Sequence, residues 1–119
     1  MLDLEFEVEM YTTAAGRCPV QEFLDELTRK DPRLHVALAA SLLRLRNGAL
    51  HRRPLTAPLR DGILEVRAHG NAQGRILFSF EGNRLILLLA GLTKRTGPVP
   101  NREIETALAR QVDWRARQQ

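Results

Sequence analysis

The chain has 119 residues, 44% of them hydrophobic and 27% charged, which predicts one globular domain spanning residues 1–119. The longest apolar run, residues 85–90, is too short to cross a membrane, and the acidic N-terminus has no signal-peptide pattern. We therefore expect a cytoplasmic protein. Its one cysteine excludes an internal disulfide and a cysteine metal cluster. The net charge of +4 favours nucleic acid or an acidic protein as partner.

The first half of the chain predicts a strand and two helices. Residues 4–10 alternate between apolar and acidic side chains, as in a half-buried strand. A first helix begins at Pro19, and Asp31 and Pro32 fit the N-cap and first position of a second. The second helix should end near Asn47, and the helix dipole explains Arg44 near that end. The two helices form a helical hairpin.

The second half predicts a three-strand meander and a last helix. Pro54 and Pro58 predict an irregular basic loop over residues 50–61. Strands follow at residues 63–69, 75–80 and 85–92, the last apolar on both faces and so central, and a helix at 101–117. The predicted fold class is α+β: a small twisted, mainly antiparallel sheet with an N-terminal helical hairpin and a C-terminal helix, in the order β-α-α-β-β-β-α. We expect the helices on one face of the sheet.

The first hairpin of the meander places two arginines opposite each other. Matching its apolar positions across the strands puts Arg67 opposite Arg75, although such like charges repel by up to about 1 kcal/mol. In the next hairpin, a two-residue turn puts Glu81 opposite Arg84, a stabilising pair. The contrast indicates an anion site in the first hairpin, with a phosphodiester as the obvious ligand. The alternative, that Glu65 pairs with Arg67 while Arg75 points into solvent, stays open at this point.

Five segments form an ordered series: residues 59–62, Glu65-Val66-Arg67, residues 75–80, Lys94-Arg95-Thr96, and Pro100 with Glu103-Ile104 and Ala107. Taken in this order, they resemble the RelE/ParE toxin superfamily, and most closely its phage-derived, HigB-like branch. The initial strand and the helical hairpin match as well, so the resemblance covers nearly the whole chain.

The resemblance implies the toxin of a type II toxin-antitoxin pair. Such toxins usually cut mRNA in the ribosomal A site, without metal or cofactor, by letting a ribose 2′-hydroxyl attack the adjacent phosphate. The implied partners are the ribosome with its mRNA and a cognate antitoxin, expected to be a helix-turn-helix protein. Operator DNA would be bound only through the antitoxin, and no membrane partner is expected.

The resemblance also assigns roles to residues. Arg67 and Arg75 match the family's strand arginines, which would bind the phosphate and its transition state. Lys94 matches the first basic position after the last meander strand, with Arg95 beside it as an RNA-binding candidate. Glu65 matches the strand carboxylate, which would orient Arg67 or accept a proton.

The histidines are candidates for proton transfer and RNA binding. His69 follows Arg67 closely and is a candidate general acid or base, since imidazole titrates near neutral pH. His51, Arg52 and Arg53 form a basic loop that is a candidate RNA contact. No spacing among the histidines predicts a metal site. Many family nucleases carry a tyrosine near the C-terminus, whereas the only tyrosine here is Tyr11, so the acid and base stay open.

Two other functions fit the same fold. A ParE-like toxin would poison DNA gyrase, and a degenerate toxin would act mainly as an antitoxin-bound co-repressor. Fold alone does not separate them from a nuclease. The paired Arg67 and Arg75, together with Lys94, favour the nuclease over a gyrase poison. A degenerate toxin would have lost the strand arginines, which are present here.

Overall fold

The computed structural model describes residues 5–68, 73–93 and 97–119 and has the predicted α+β architecture. In chain order the elements are β1 (Glu7–Met10), α1 (Pro19–Lys30), α2 (Pro32–Leu45), a 3-10 turn (Gly48–Leu50), β2 (Thr56–Arg60), β3 (Ile63–Arg67), β4 (Gly74–Glu81), β5 (Leu85–Thr93) and α3 (Asn101–Arg117). The sheet order is β1-β5-β4-β3-β2, parallel between β1 and β5 and antiparallel elsewhere. Among the described residues, no helix has the length and apolarity that a membrane crossing needs.

One strand, β2, was missed by the sequence analysis. Residues 56–60 were predicted to be irregular, but they pair with β3, with a register shift between Pro58 and Arg60. Proline removes a backbone donor, which is tolerated in an edge strand because one side of that strand forms no sheet hydrogen bonds. β2 is such an edge strand. The element order therefore has one strand more than predicted.

The helical hairpin forms as predicted and packs closely on the sheet. Asp31 caps α2, since its carboxylate accepts a hydrogen bond from the backbone N–H of Leu34 at 3.2 Å. α1 approaches β5 at Gly91, where an added Cβ would lie 2.2 Å from Cδ2 of Phe23. The absence of a side chain at Gly91 thus lets the Phe23 ring lie against the strand.

The helices cover both faces of the sheet, so the prediction that they pack on one face is wrong. The helical hairpin buries one face of β5, including Ile86 and Leu88, and α3 buries the other, including Leu87 and Leu89. A strand with apolar side chains on both faces must be covered on both sides to keep them from water. The sheet is therefore the middle layer of three.

Polar contacts fix α3 on its face of the sheet. Arg110 donates a hydrogen bond to the carbonyl of Leu89 at 2.7 Å, where the register between β4 and β5 shifts. About one turn further along the helix, the Tyr11 hydroxyl donates to Asp113 at 2.6 Å, and the Trp114 indole N–H donates to Glu9 at 2.8 Å. These contacts hold α3 against the sheet and the N-terminal strand.

Candidate active site

The β3–β4 hairpin has the predicted register, with Arg67 opposite Arg75 and Glu65 opposite Leu77. Ile63 lies two residues before Glu65 and belongs, like Leu77, to the apolar cluster under α3. Because side chains alternate along a strand, Glu65, Arg67 and Arg75 all lie on the face that α3 covers.

A buried carboxylate joins the two arginines. Oε1 of Glu65 accepts a hydrogen bond from Nη1 of Arg75 at 3.0 Å and one from Nε of Arg67 at 3.4 Å. The side chains of Glu65 and Arg75 are only 6% and 9% exposed, whereas that of Arg67 is 30% exposed. We call these three residues the Glu65 cluster. One carboxylate and two guanidinium groups leave it with one net positive charge, nearest to solvent at Arg67.

This arrangement corrects two expectations about the hairpin. The helices were expected on one face of the sheet, which would leave Glu65 on the uncovered face, but α3 covers that face and the carboxylate is buried. The structural alternative paired Glu65 with Arg67 and placed Arg75 in solvent. The pair of Glu65 with Arg67 is present, but Arg75 is buried. The repulsion expected between the arginines is relieved because both contact the same carboxylate oxygen.

Arg67 also lines an open cleft at this end of β3. The cleft has a volume of about 330 Å³. Its charged lining consists of Arg44, Arg52, Arg53 and Arg67, and its apolar lining consists of Leu50, Pro54, Leu55 and Ala68. We call it the arginine cleft. It joins one predicted catalytic residue, Arg67, to two predicted RNA-binding residues, Arg52 and Arg53.

Among the arginines of the described cleft lining, Arg44 is the one to which the sequence analysis gave no site role. The Ser41 hydroxyl donates a hydrogen bond to the backbone carbonyl of Arg67 at 2.6 Å, which ties this part of α2 to the end of β3. Arg44 follows Ser41 by about one helical turn and so lies on a neighbouring part of the same helix surface. The contact joins residues 26 apart in sequence, which no local pattern in the chain marks.

His51, which was predicted to bind RNA with Arg52 and Arg53, is half-buried and packs against aromatic side chains. Its Nε2 lies 2.6 Å from the carbonyl oxygen of Leu45, near the end of α2. Its ring centroid lies 4.7 Å from that of Phe6 and 5.3 Å from that of Phe80. His51 is not part of the cleft lining, and its contacts fix the start of the loop that carries Arg52 and Arg53.

Three predicted site residues, His69, Lys94 and Arg95, lie outside the described residues. The residue before His69 is Ala68, whose backbone N–H donates to the Gly74 carbonyl at 3.1 Å. The residue before Lys94 is Thr93, which pairs with Gly74. In the described ranges, no three His, Cys, Asp or Glu side chains are grouped so that they could hold a metal ion.

Tyr11 is held in a structural contact. Its hydrogen bond to the Asp113 carboxylate raises the pKa of the phenol, and burial raises it further. A phenol with a raised pKa is a weaker acid and stays protonated near neutral pH. The ring does not line the arginine cleft.

A second buried carboxylate, Glu81, lies at the other end of β4. Glu81 pairs with Leu85 across a three-residue turn, so the predicted pair with Arg84 is wrong. Its carboxylate instead accepts hydrogen bonds from Ser79 at 2.7 Å, Gln111 at 3.0 Å, and Arg115 at 2.7 and 3.1 Å. We call Glu81 and these three partners the Glu81 cluster.

The Glu81 cluster contains a charge-balanced ion pair. Burial alone would raise the pKa of Glu81, but the hydrogen bonds from Arg115, Ser79 and Gln111 outweigh it and hold the pKa below its ordinary value. One carboxylate and one guanidinium group leave no net charge. Because Gln111 and Arg115 belong to α3, this cluster fastens the helix to β4.

Comparison with models of known protein families assigns the chain to one of them. The family model described as "Phage derived protein Gp49-like (DUF891)" matches residues 22–112. The match covers well over half of the chain, so the chain belongs to this family, a RelE/HigB-like family of type II toxins. Such a family implies a cognate antitoxin as partner. No curated protein shows a significant match to the chain.

Proposed function

We propose that this member of the Gp49-like family is a ribosome-dependent endoribonuclease, the toxin of a type II toxin-antitoxin pair that cleaves mRNA in the ribosomal A site. Family membership supports the toxin, with which an endoribonuclease is compatible. The observation that carries the nuclease is Arg67, which is held by a buried carboxylate and at the same time lines an arginine-rich cleft. A phosphodiester is the anion that such a cleft would meet on an mRNA.

The proposed reaction is an attack within the RNA chain. The ribose 2′-oxygen bonds to the adjacent phosphorus, the bond from phosphorus to the 5′-oxygen breaks, and a 2′,3′-cyclic phosphate and a 5′-hydroxyl result. The 2′-hydroxyl gives its proton to a base, and the leaving 5′-oxygen receives one from an acid. Negative charge grows on the phosphoryl oxygens in the transition state, and a fixed guanidinium group stabilises it without reorganising.

Arg67 is the proposed group on the phosphate, because its side chain is the more exposed of the two strand arginines and because Arg67 is one of the residues that line the cleft. Arg75 acts at the same phosphate, either by contacting it or by adding to the positive potential beside Arg67. Glu65 orients both guanidinium groups, which its contacts support over proton transfer, since its Oε1 already accepts from both arginines.

We assign proton transfer and further phosphate contacts to residues that follow β3 and β5 in the sequence and to the loop before β2. His69 is the proposed acid or base, since its chain neighbour Ala68 lines the arginine cleft. Lys94 and Arg95 are proposed to bind RNA phosphates, as are Arg52 and Arg53 on the loop. A His69→Gln variant that keeps full activity would remove the histidine from the mechanism and leave the arginine argument intact.

The partner proposals follow from the family and the charge. The antitoxin is proposed to be a helix-turn-helix protein, through which alone the toxin would reach operator DNA. The ribosome is proposed as the surface that presents the mRNA. No specific observation favours DNA gyrase as the target.

Primer extension on mRNA loaded into purified ribosomes tests the proposal. Wild-type protein should create new 5′ ends inside A-site codons, with none when ribosomes are left out. Arg33→Ala, which changes an exposed arginine in the first turn of α2, is the matched control and should cut like wild type. An intact message from protein that still arrests growth would rule out the nuclease and turn attention to gyrase.

A further inference from the structure

The arginine cleft has two kinds of wall. Leu50, Pro54 and Leu55 give it an apolar side, while guanidinium groups from α2, the loop and β3 supply its charge. No acidic residue belongs to the described lining. A site of this kind suits a ligand with a flat, weakly polar body and anionic groups at its edge.

Its size restricts that ligand further. At about 330 Å³ the cleft lies at the lower end of the range of small-molecule pockets, which is about 300–1,000 Å³. It has room for one nucleotide unit but not for a folded segment of a partner protein. A single-stranded RNA supplies such units, because its bases are unstacked and can be splayed into pockets.

We propose that the arginine cleft is a nucleotide subsite, which holds one base of the RNA against Leu50, Pro54 and Leu55 while Arg44 binds a flanking phosphate. The inference deepens the proposed nuclease function and rests on it for the identity of the RNA. Arg67 is shared between the cleft and the Glu65 cluster, so the bound nucleotide adjoins the phosphate that is cut. Arg44 then fixes the register of the RNA relative to Arg67.

The hydrogen-bonding groups of the lining also determine which base the subsite should prefer. Its side-chain donors are guanidinium groups, and its described residues include no side-chain carbonyl or carboxylate acceptor. Guanidinium groups pair with base acceptors such as the N7 and O6 atoms of guanine. Cytosine presents a donor at the matching edge. The subsite should therefore favour purines over cytosine.

Binding to an RNA that cannot be cut tests the subsite directly. The probe is a fluorescent 2′-O-methyl adenosine trinucleotide, which lacks the attacking hydroxyl, titrated with the purified chain and followed by anisotropy. Arg44→Ala should weaken binding about tenfold, the loss of one charge-assisted hydrogen bond. Arg33→Ala, at the other end of the same helix, should change it less than about twofold, as expected for an exposed charge.

A second probe separates base binding from charge attraction. A trinucleotide whose middle base is removed should bind about tenfold more weakly, because the apolar wall then loses its contact. A glutamate peptide of equal charge should not displace the intact probe. Equal binding of both probes, binding unchanged in Arg44→Ala, or displacement by the peptide would each overturn the subsite.

The same variants test the nucleotide subsite and the proposed nuclease activity separately, so that either proposal can fail without the other. If wild-type protein cuts ribosome-bound mRNA but its RNA binding needs neither Arg44 nor the base, the subsite is wrong and the nuclease stands. If binding depends on both but no cleavage occurs on ribosomes, the nuclease is wrong and the subsite stands. Dependence of both binding and cleavage on Arg44 is the result we expect.

Discussion

Two buried glutamates, Glu65 and Glu81, lie on the same face of the sheet but differ in the arginines that they bind. Glu65 and Glu81 are equally buried, with side chains 6% exposed, and each is paired with arginine. Among the described residues, Glu81 shares its charge only with Arg115, from a helix, and its other hydrogen bonds come from the neutral groups of Ser79 and Gln111. Glu65 is shared by Arg67 and Arg75, both from the sheet.

The difference is the net charge of the cluster and the surroundings of its arginine. The Glu81 cluster is neutral, and its arginine belongs to α3, so the pair fastens the helix to β4. The Glu65 cluster keeps one positive charge and presents it, through Arg67, to a cleft lined by three further arginines. A buried carboxylate paired with an arginine is therefore not a sign of function by itself. A surplus of guanidinium groups over carboxylates, beside open space, is the more useful sign.

The largest expected effect separates the two clusters by activity. Arg75→Ala should reduce toxicity and mRNA cleavage by about 100-fold or more, the usual cost of removing one fixed group that stabilises developing charge. Arg115→Ala should leave cleavage near the wild-type rate, because Arg115 pairs with Glu81 to fasten α3 and is not part of the Glu65 cluster. Growth arrest after induction, followed by cleavage assays, measures both variants.

Antitoxin binding is the control for Arg75→Ala, and we expect it to stay largely intact. Full toxicity of Arg75→Ala would remove the argument for an anion site in the Glu65 cluster. A loss of activity in Arg115→Ala as large as in Arg75→Ala would remove the distinction between the clusters.

A smaller effect separates the clusters by stability. Glu65→Gln should lower the free energy of unfolding by about 3 kcal/mol, because it leaves the buried Arg75 charge without its carboxylate. Glu81→Gln should cost only about 1 kcal/mol, because the Arg115 side chain is 56% exposed and can turn to water. Urea unfolding of the two isosteric variants measures the difference. Equal losses would mean that exposure of the arginine does not decide the cost.

The smallest effect is a pH dependence carried by Glu81. The pKa of its carboxyl in the folded protein is below its ordinary value of 4.5, so the folded state binds fewer protons there than the unfolded state. The resulting stabilisation is present above about pH 4.5 and is lost as the pH falls through the folded-state pKa. The stability difference between wild type and Glu81→Gln should therefore shrink below about pH 4.5. A difference that is constant or grows on acidification would contradict this sign.

Local patterns predicted the elements and their register well. Alternation in β3 and β4 was enough to place Arg67 opposite Arg75, because a slip by one residue would put apolar side chains in water. Asp31 and Pro32 marked the junction of the two helices for a similar local reason. Pro58 misled because its effect depends on whether the strand lies at an edge, which is a property of the whole sheet.

The missed features of the site are long-range ones. Glu65 is buried because α3 covers its face of the sheet. The apolar residues on both faces of β5 indicate that both faces of the sheet are covered, and this pattern could have predicted the burial of Glu65. Arg44 joins the cleft because Ser41 of α2 meets the end of β3. No spacing within α2 could reveal that contact. The roles of His69, Lys94 and Arg95 stay predictions.

The central claim is that the Arg67 guanidinium, held by Glu65, supplies the charge that phosphoryl transfer needs. Its most direct test is the single-turnover cleavage rate of ribosome-bound mRNA by Arg67→Ala and Arg67→Lys, beside wild type. We predict a loss of about 100-fold to 1,000-fold for alanine and a smaller loss for lysine, which keeps the charge without the bidentate fork. Cleavage by Arg67→Ala at the wild-type rate would contradict the claim.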